Sequence, residues 1–184
     1  FALDLQSLVA LLGDSHTTTN LSPVLSSSPL YLFELGWYDG SWVLLAAPAG
    51  NETLVGRTVA ALNGVAMEEV VSRLSVLVSA DNPVKLRRQT PQLLMSQAVL
   101  HYVGLAEEDS PLILTMTGGE TLSLSPLSPE EYAALEPDDM ALLDLPASPT
   151  AQRRKTAYFS QPLSEKVYYI QYNTCREDPD DPME

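Results

Sequence analysis

The chain is poor in the residues from which most self-contained chemical sites are built. Cysteine occurs once in 184 residues, at Cys175, which excludes an internal disulfide and a cysteine-rich zinc site; one thiol does not settle the redox compartment. Histidine occurs only as His16 and His101, far apart and without metal-ligand spacing, so no metal is expected. No glycine-rich phosphate loop is present, because Gly118-Gly119 between two strand-like runs is hairpin chemistry. No apolar run reaches the roughly 18 residues that span a bilayer. Basic residues are scarce, 10 against 24 acidic, for a net charge of −14 and a pI near 4.3. Such a surface repels phosphate backbones and anionic lipid, so no nucleic-acid partner is expected; without the apolar run or a cofactor-binding motif, no membrane span and no cofactor are expected either.

What is present suits an ordinary globular chain. Hydrophobic residues make up 45% and charged residues 18%, and mean hydropathy is near zero, enough to bury a core. Phe1 is not an initiator methionine, and the chain is expected to begin after something removed: a signal segment, an upstream domain, or the rest of a chain from which this stretch was cut.

The organising stretch is Leu54 to Val78. Thr58 to Leu62 is short, apolar and partly β-branched, and Asn63-Gly64 supplies residues that accept the positive φ of a tight turn. From Met67 to Val78 the period changes. Val70, Val71, Leu74, Leu77 and Val78 fall on one helical face, with Glu68, Glu69, Ser72 and Arg73 opposite.

Around that stretch the remaining elements follow in order. Ala2 to Leu12 reads as a helix with Leu5, Leu8, Val9 and Leu12 on its apolar face, ended by Gly13. Thr17 to Ser28 reads as a loop, and Leu30–Leu35 and Trp42–Ala47 read as a hairpin around Tyr38-Asp39-Gly40. Ala80 to Arg88 is polar and carries Lys85, Arg87 and Arg88, expected as a solvated face. Thr90-Pro91 is expected to open a second helix that uses Leu94, Met95, Ala98, Leu100 and Tyr102 and ends at Gly104. Leu112–Thr117 and Glu120–Leu124 flank the glycine pair as a hairpin. Ser128-Pro129 opens a short helix. Glu136 to Thr156 reads as a connector. VYYIQY at Val167–Tyr172 reads as a strand covered on both faces. The acidic tail from Glu177 to Glu184 reads as solvated.

Asp14, Ser15 and His16 are the only residues that look like a compressed hydrolase site. Consecutive side chains diverge, whereas a nucleophile needs its base within hydrogen-bond reach and a third group to orient that base. The Gly-Asp-Ser of this stretch resembles the nucleophile block of GDSL esterases. That family places its serine after a buried strand and an aspartate three residues before a histidine, and neither feature is found here. The alternative is a helix C-terminus in which Gly13 caps and Asp14 or Ser15 bonds nearby amides. His101 is expected to be a half-buried helical side chain, and Lys155 and Lys166 to be solvated.

The order LLGDSHT, then L-x-G-x-x-V-x-x-L-N-G-V with its helix, then VYYIQYN resembles the tail-specific (C-terminal processing) serine peptidase family. The resemblance spans about residues 3–175. It implies an α+β chain: an N-terminal helical segment with the GDSHT turn over 1–28, then a PDZ-like domain over 29–127. That domain would be a small sheet or partial barrel under two covering helices. A short helix and linker over 128–165 and the first strand of an α/β catalytic domain over 166–184 would follow. It further implies a polypeptide substrate or peptide C-terminus as partner, an extracytoplasmic location and a serine-type endopeptidase. The nucleophile would lie downstream, with no catalytic residue in this chain.

Asp14, Ser15, His16 and Thr17 would be a structural or cleft-shaping turn, and Gly56, Asn63 and Gly64 the PDZ-like turn positions. The chain departs from the pattern where Gly56-Arg57 replaces a glycine-aspartate pair and where the preceding alanine-rich segment is missing. The alternative is a non-catalytic PDZ-like peptide- or protein-binding module. If a peptide groove exists, its expected place is between an edge strand and the Met67–Val78 helix.

Overall fold

The computed structural model describes residues 1–143 and 157–174. Arg153 to Lys155, Cys175 and the tail from Glu177 lie outside the described residues. The chain divides into two compact units, Phe1–Leu143 and Asp144–Glu184. The architecture is mixed α+β, built from small antiparallel sheets and short helices without a closed barrel.

The first unit begins with α1 (Ala2–Ala10) and α2 (Ser22–Ser27), the latter inside the expected loop. The strands β1 (Leu30–Tyr31), β2 (Glu34–Tyr38) and β3 (Ser41–Pro48) follow. β2 and β3 pair as a hairpin around the expected turn, from Glu34 opposite Ala46 to Tyr38 opposite Ser41, but the expected first strand Leu30–Leu35 is split: Leu30–Tyr31 pairs with Pro126–Leu127, and the hairpin strand runs on to Tyr38. Then come β4 (Val59–Leu62), β5 (Val65–Ala66) and α3 (Met67–Leu74), which tightens into a 3-10 turn over Ser75–Leu77. Val70, Leu74 and Leu77 are buried, as their spacing requires.

The second helical stretch starts earlier than Thr90-Pro91 suggests. α4 (Pro83–Met95) opens at Asn82, whose carboxamide oxygen accepts from the amides of Val84 at 3.0 Å and Lys85 at 3.1 Å. Asn82-Pro83 thus supplies the cap and the first-position proline, and Pro91 lies inside the helix. The Thr90 hydroxyl, instead of capping, donates back to the Leu86 carbonyl at 2.8 Å. The chain turns extended at Ser96, which caps α5 (Gln97–Tyr102). Gly104 follows with φ +67°. His101 on α5 is exposed rather than half-buried.

β6 (Leu112–Met116) and β7 (Thr121–Leu124) form the expected hairpin, and β8 (Pro126–Leu127) pairs with β1. α6 (Pro129–Ala133) begins with a capping box between Ser128 and Glu131. β9 (Met140–Leu142) then pairs with Ala46–Pro48. The start of the expected connector is therefore a sheet strand. The strands form two principal sheets, β2-β3-β9 and β5-β4-β6-β7, joined by a bridge between Val43 and Thr58. Tyr31, Phe33, Leu44, Leu62, Leu74, Leu94, Leu100 and Leu114 fill the core at 0–1% exposure, each contributing about 1.5–3 kcal/mol by burial.

In the second unit, β10 (Tyr158–Ser164) and β11 (Val167–Tyr172) form an antiparallel hairpin. β10 lies in what reads as linker in the sequence. Tyr168, Ile170 and Tyr172 are exposed, Ile170 at 72%, so VYYIQY is not covered on both faces within the described residues. Among the described residues the second unit holds only this two-stranded ribbon, with no second layer over it.

α1 departs most from its sequence pattern. Leu5, Leu8 and Leu12 are exposed, Leu8 at 63%, while Gln6 is 2% exposed. The helix lies against the 3-10 turn through its Leu3 and Gln6 side, and the leucine stripe faces away. Among the described residues, no helix is long and apolar enough to cross a membrane.

Candidate functional site

The β2–β3 turn is the first component of the site. Asp39 and Gly40 have φ values of +46° and +78°, the positive pair a two-residue hairpin turn demands and that aspartate-glycine supplies at little cost. This turn sets Trp37 directly opposite Trp42. Their ring centroids lie 5.1 Å apart at 65°, edge to face. Trp42 is 4% exposed and anchors the pair; Trp37 is 36% exposed. The Arg87 guanidinium, carried by α4, stands 4.8 Å from the centre of the Trp37 ring, a cation–π arrangement that holds both side chains in place.

β4 and α3 supply the opposite wall. Thr58, Val59 and Ala60 line the cleft together with Met67, Glu68 and Val71, around a volume of about 380 Å³. The strand wall contains a break in pairing. β3 bridges only as far as Thr58, and β5 begins opposite Ala61. Ala60 is also the bulge where the β4–β6 register shifts. The groove expected beside the Met67–Val78 helix thus corresponds to a concavity. Its strand is interior to the sheet order, and the pairing gap gives it a local edge.

The GDSHT turn lies elsewhere and is held by internal bonds. The Asp14 carboxylate accepts from the His16 amide at 3.1 Å and from the Thr17 hydroxyl, and the Asp14 carbonyl accepts from Ser79 Oγ at 2.7 Å. Ser15 Oγ donates to Asp81, the Asp81 amide donates to Ser15 Oγ at 3.3 Å, and Lys85 Nζ donates to the Ser15 carbonyl. His16 is 94% exposed with Nδ1 3.6 Å from Asp14. Ser15 therefore bonds a carboxylate and no imidazole. That carboxylate is a poor base, because the hydrogen bond from Ser15 holds the Asp81 pKa below its ordinary value. What the turn does is fasten the N-terminal segment to the loop in front of α4.

An acid-sensitivity prediction follows from these bonds. Thr17 and the His16 amide lower the Asp14 pKa as Ser15 lowers that of Asp81. A carboxyl whose pKa is lower in the fold contributes stability above its unfolded pKa and loses it as pH falls through the folded value. Denaturant melts of the wild type from about pH 6 to about pH 3 should therefore lose stability more steeply than those of Asp14→Asn with Asp81→Asn. Parallel slopes would show that these bonds carry no such linkage.

The PDZ-like turn positions are structural. Gly56, at φ +85°, donates its amide to the Leu44 carbonyl at 2.8 Å and turns the chain toward β4. Asn63 and Gly64, at φ +48° and +77°, close the far end of β4. None of the three lines the cleft. Trp37, Trp42 and Arg87 are the cleft residues that sequence reasoning missed. Their one signal was a tryptophan on each side of a four-residue turn containing Asp-Gly. The basic cluster is not a uniformly solvated face, since Lys85 bonds the GDSHT turn and Arg87 stacks on Trp37. Lys166 lies exposed in the β10–β11 turn.

Among the described residues, no group of three or more His, Cys, Asp or Glu side chains is placed to hold a metal ion. A comparison with protein-family models finds no match, and neither does a comparison with curated proteins.

Proposed function

We propose that this chain is the N-terminal, PDZ-like, substrate-recognising part of an extracytoplasmic serine-type peptidase similar to the tail-specific family, with the cleaving serine and lysine supplied downstream. The observation that carries the reading is the cleft between the β4 pairing gap and α3. An extended peptide adding beside Val59 and Ala60 would use main-chain bonds for affinity, and the Trp37–Arg87 wall would sort its side chains. The GDSHT turn serves this role by fixing the loop from which α4, and hence Arg87, emerges.

The non-catalytic binding module is the second reading. It needs the cleft alone and nothing downstream, and like the first it assigns no catalysis to Ser15, whose hydroxyl is spent on the Asp81 carboxylate.

Titration of an unstructured peptide with an apolar C-terminus into the 184-residue chain should shift tryptophan emission, because partly exposed Trp37 lines the cleft. A chain extended through its natural reading frame should cleave the same peptide, whereas the 184 residues should not. Unchanged emission up to millimolar peptide would remove both readings. Binding by both chains with cleavage by neither would leave the module.

A further inference from the structure

Two asparagines stand in the spacing Asn-x-Ser/Thr with x other than proline: Asn20-Leu21-Ser22 and Asn51-Glu52-Thr53. That spacing is the acceptor signal for N-linked glycosylation and belongs on the surface loops of exported proteins. The remaining asparagines lack it. Asn63 is followed at the hydroxyl position by Val65, Asn82 by Pro83 and Val84, and Asn173 by Cys175 at that position.

The fold puts both signals where a bulky hydrophilic group can be carried. Asn51 stands in the loop between β3 and β4, where Gly50 turns the chain at φ +88° and the Leu54 amide closes a turn on the Asn51 carbonyl at 3.0 Å. Glu52 and Thr53 are exposed. Asn51 Nδ2 donates one proton to the Pro48 carbonyl at 2.9 Å. A carboxamide nitrogen has two, so replacing the other with a sugar leaves one to keep that bond. Asn20 is exposed in the loop before α2, and its Oδ1 accepts from the Ser22 amide at 3.0 Å, which leaves Nδ2 for a linkage.

Neither asparagine lines the cleft. β3 runs from Ser41 at the cleft to Pro48, a span of about 20 Å, and the bond to Pro48 holds Asn51 at the far end. A glycan there leaves the cleft open to a peptide.

Resting on the extracytoplasmic part of the reading above, we propose that this chain carries N-linked oligosaccharide on Asn51 and Asn20. The donor is a lipid-linked oligosaccharyl diphosphate. The bond from Nδ2 to the first sugar carbon forms, the bond from that carbon to the diphosphate oxygen breaks, the lipid diphosphate leaves with the electron pair, and Nδ2 gives up one proton. Ser22 precedes Pro23, and proline restricts the residue before it, so Asn51 is the more completely modified of the two.

The full-length protein from its natural source, digested to peptides, is treated with peptide N-glycosidase in heavy-oxygen water; Asn51, and to a smaller extent Asn20, should return as labelled aspartate. The same reading frame is also produced with a foreign secretory leader in cultured eukaryotic cells, and glycosidase-sensitive gel mobility is read. Asn51→Gln and Thr53→Ala should each remove one mobility step, Thr53→Ser should keep it, and Ser22→Ala should remove the other.

Sugar on neither asparagine of the foreign-leader protein overturns the sites and leaves the location reading standing. Sugar there but none on the natural protein overturns the proposal through the location it rests on, since the sites are then sound and the chain does not meet a glycosylating compartment. A step that survives Thr53→Ala combined with Ser22→Ala puts the sugar on other residues and overturns the assignment.

Discussion

Replacing Gln6 with alanine is expected to cost about 2–4 kcal/mol, whereas Leu8→Ala on the same helix should cost under about 0.5 kcal/mol. Gln6 is a buried amide whose two ends are both occupied. Nε2 donates to the Leu77 carbonyl at 2.7 Å, and Oε1 accepts from the Thr19 amide at 2.9 Å and the Thr19 hydroxyl at 2.6 Å. Truncation leaves a buried carbonyl and a backbone amide without partners, and each such loss costs more than the bond contributed. Leu8 is exposed and loses little. The damage should be local, because few other contacts hold α1, so amide exchange should accelerate over residues 2–20 while β4, β6 and α3 stay protected. Gln6→Met, which keeps the volume and removes the bonds, should resemble alanine. If methionine restores stability, packing rather than hydrogen bonding holds the helix.

That pair of variants inverts what the pattern of α1 suggests, and the reason shows how far sequence reaches here. Periodicity finds a helix because leucines recur on one face, but it assumes that this face meets the core. In α1 the helix meets a 3-10 turn that still has a free carbonyl, Leu77, and a polar side chain satisfies that demand where leucine cannot. Where the partner surface is apolar, as for α3 against β4, the same reasoning places Val70, Leu74 and Leu77 correctly. Local signals that do not depend on a distant partner were legible. Gly-Gly at 118–119, Asn-Gly at 63–64 and Ser-Pro at 128–129 each mark the turn or cap found there. Thr90-Pro91 misled because Asn82-Pro83 offers the same chemistry nearer the helix start, and a proline inside a helix costs less than giving up the buried Thr90, Leu93 and Leu94 around it.

The cleft was legible only in part. Its helix side could be stated, but its strand side could not, because the expectation was an edge strand and the cleft lies against β4, interior to the sheet order. Its chemistry could not, because Trp37 and Arg87 lie 50 positions apart in the sequence and meet only through the register of β2–β3 and the emergence of α4. Asp14 to Thr17 show the converse. They carry the most conspicuous catalytic residue types in the chain, and their geometry spends Asp14, Ser15 and Thr17 on fastening a loop while the His16 ring stays exposed.

Asn63→Ala is expected to cost about 2–3 kcal/mol, and Asn63→Gly about 1 kcal/mol less than that. Three effects are superposed at this position. The backbone sits at φ +48°, which asparagine tolerates and alanine resists. The side chain accepts from the Ile113 amide at 2.8 Å and donates to the Leu105 carbonyl at 2.9 Å, fixing β4 to the start of β6 and to the loop after α5. The main-chain amide donates to the Ile113 carbonyl at 2.8 Å, and every variant keeps that bond. Glycine removes the strain and loses the side-chain bonds; alanine loses the bonds and keeps the strain, so the difference between them reports the strain less the extra backbone entropy glycine loses on folding. Urea melts with unchanged slope are the measurement. Equal losses would show that the strain at this position is no larger than glycine's entropic cost, leaving the two side-chain bonds as the main effect. The position bears on function through the strand it ends. Thr58 to Ala60 form the cleft wall at the other end of β4, and a turn that lets that strand slip by one residue would reverse which side chains face the cleft.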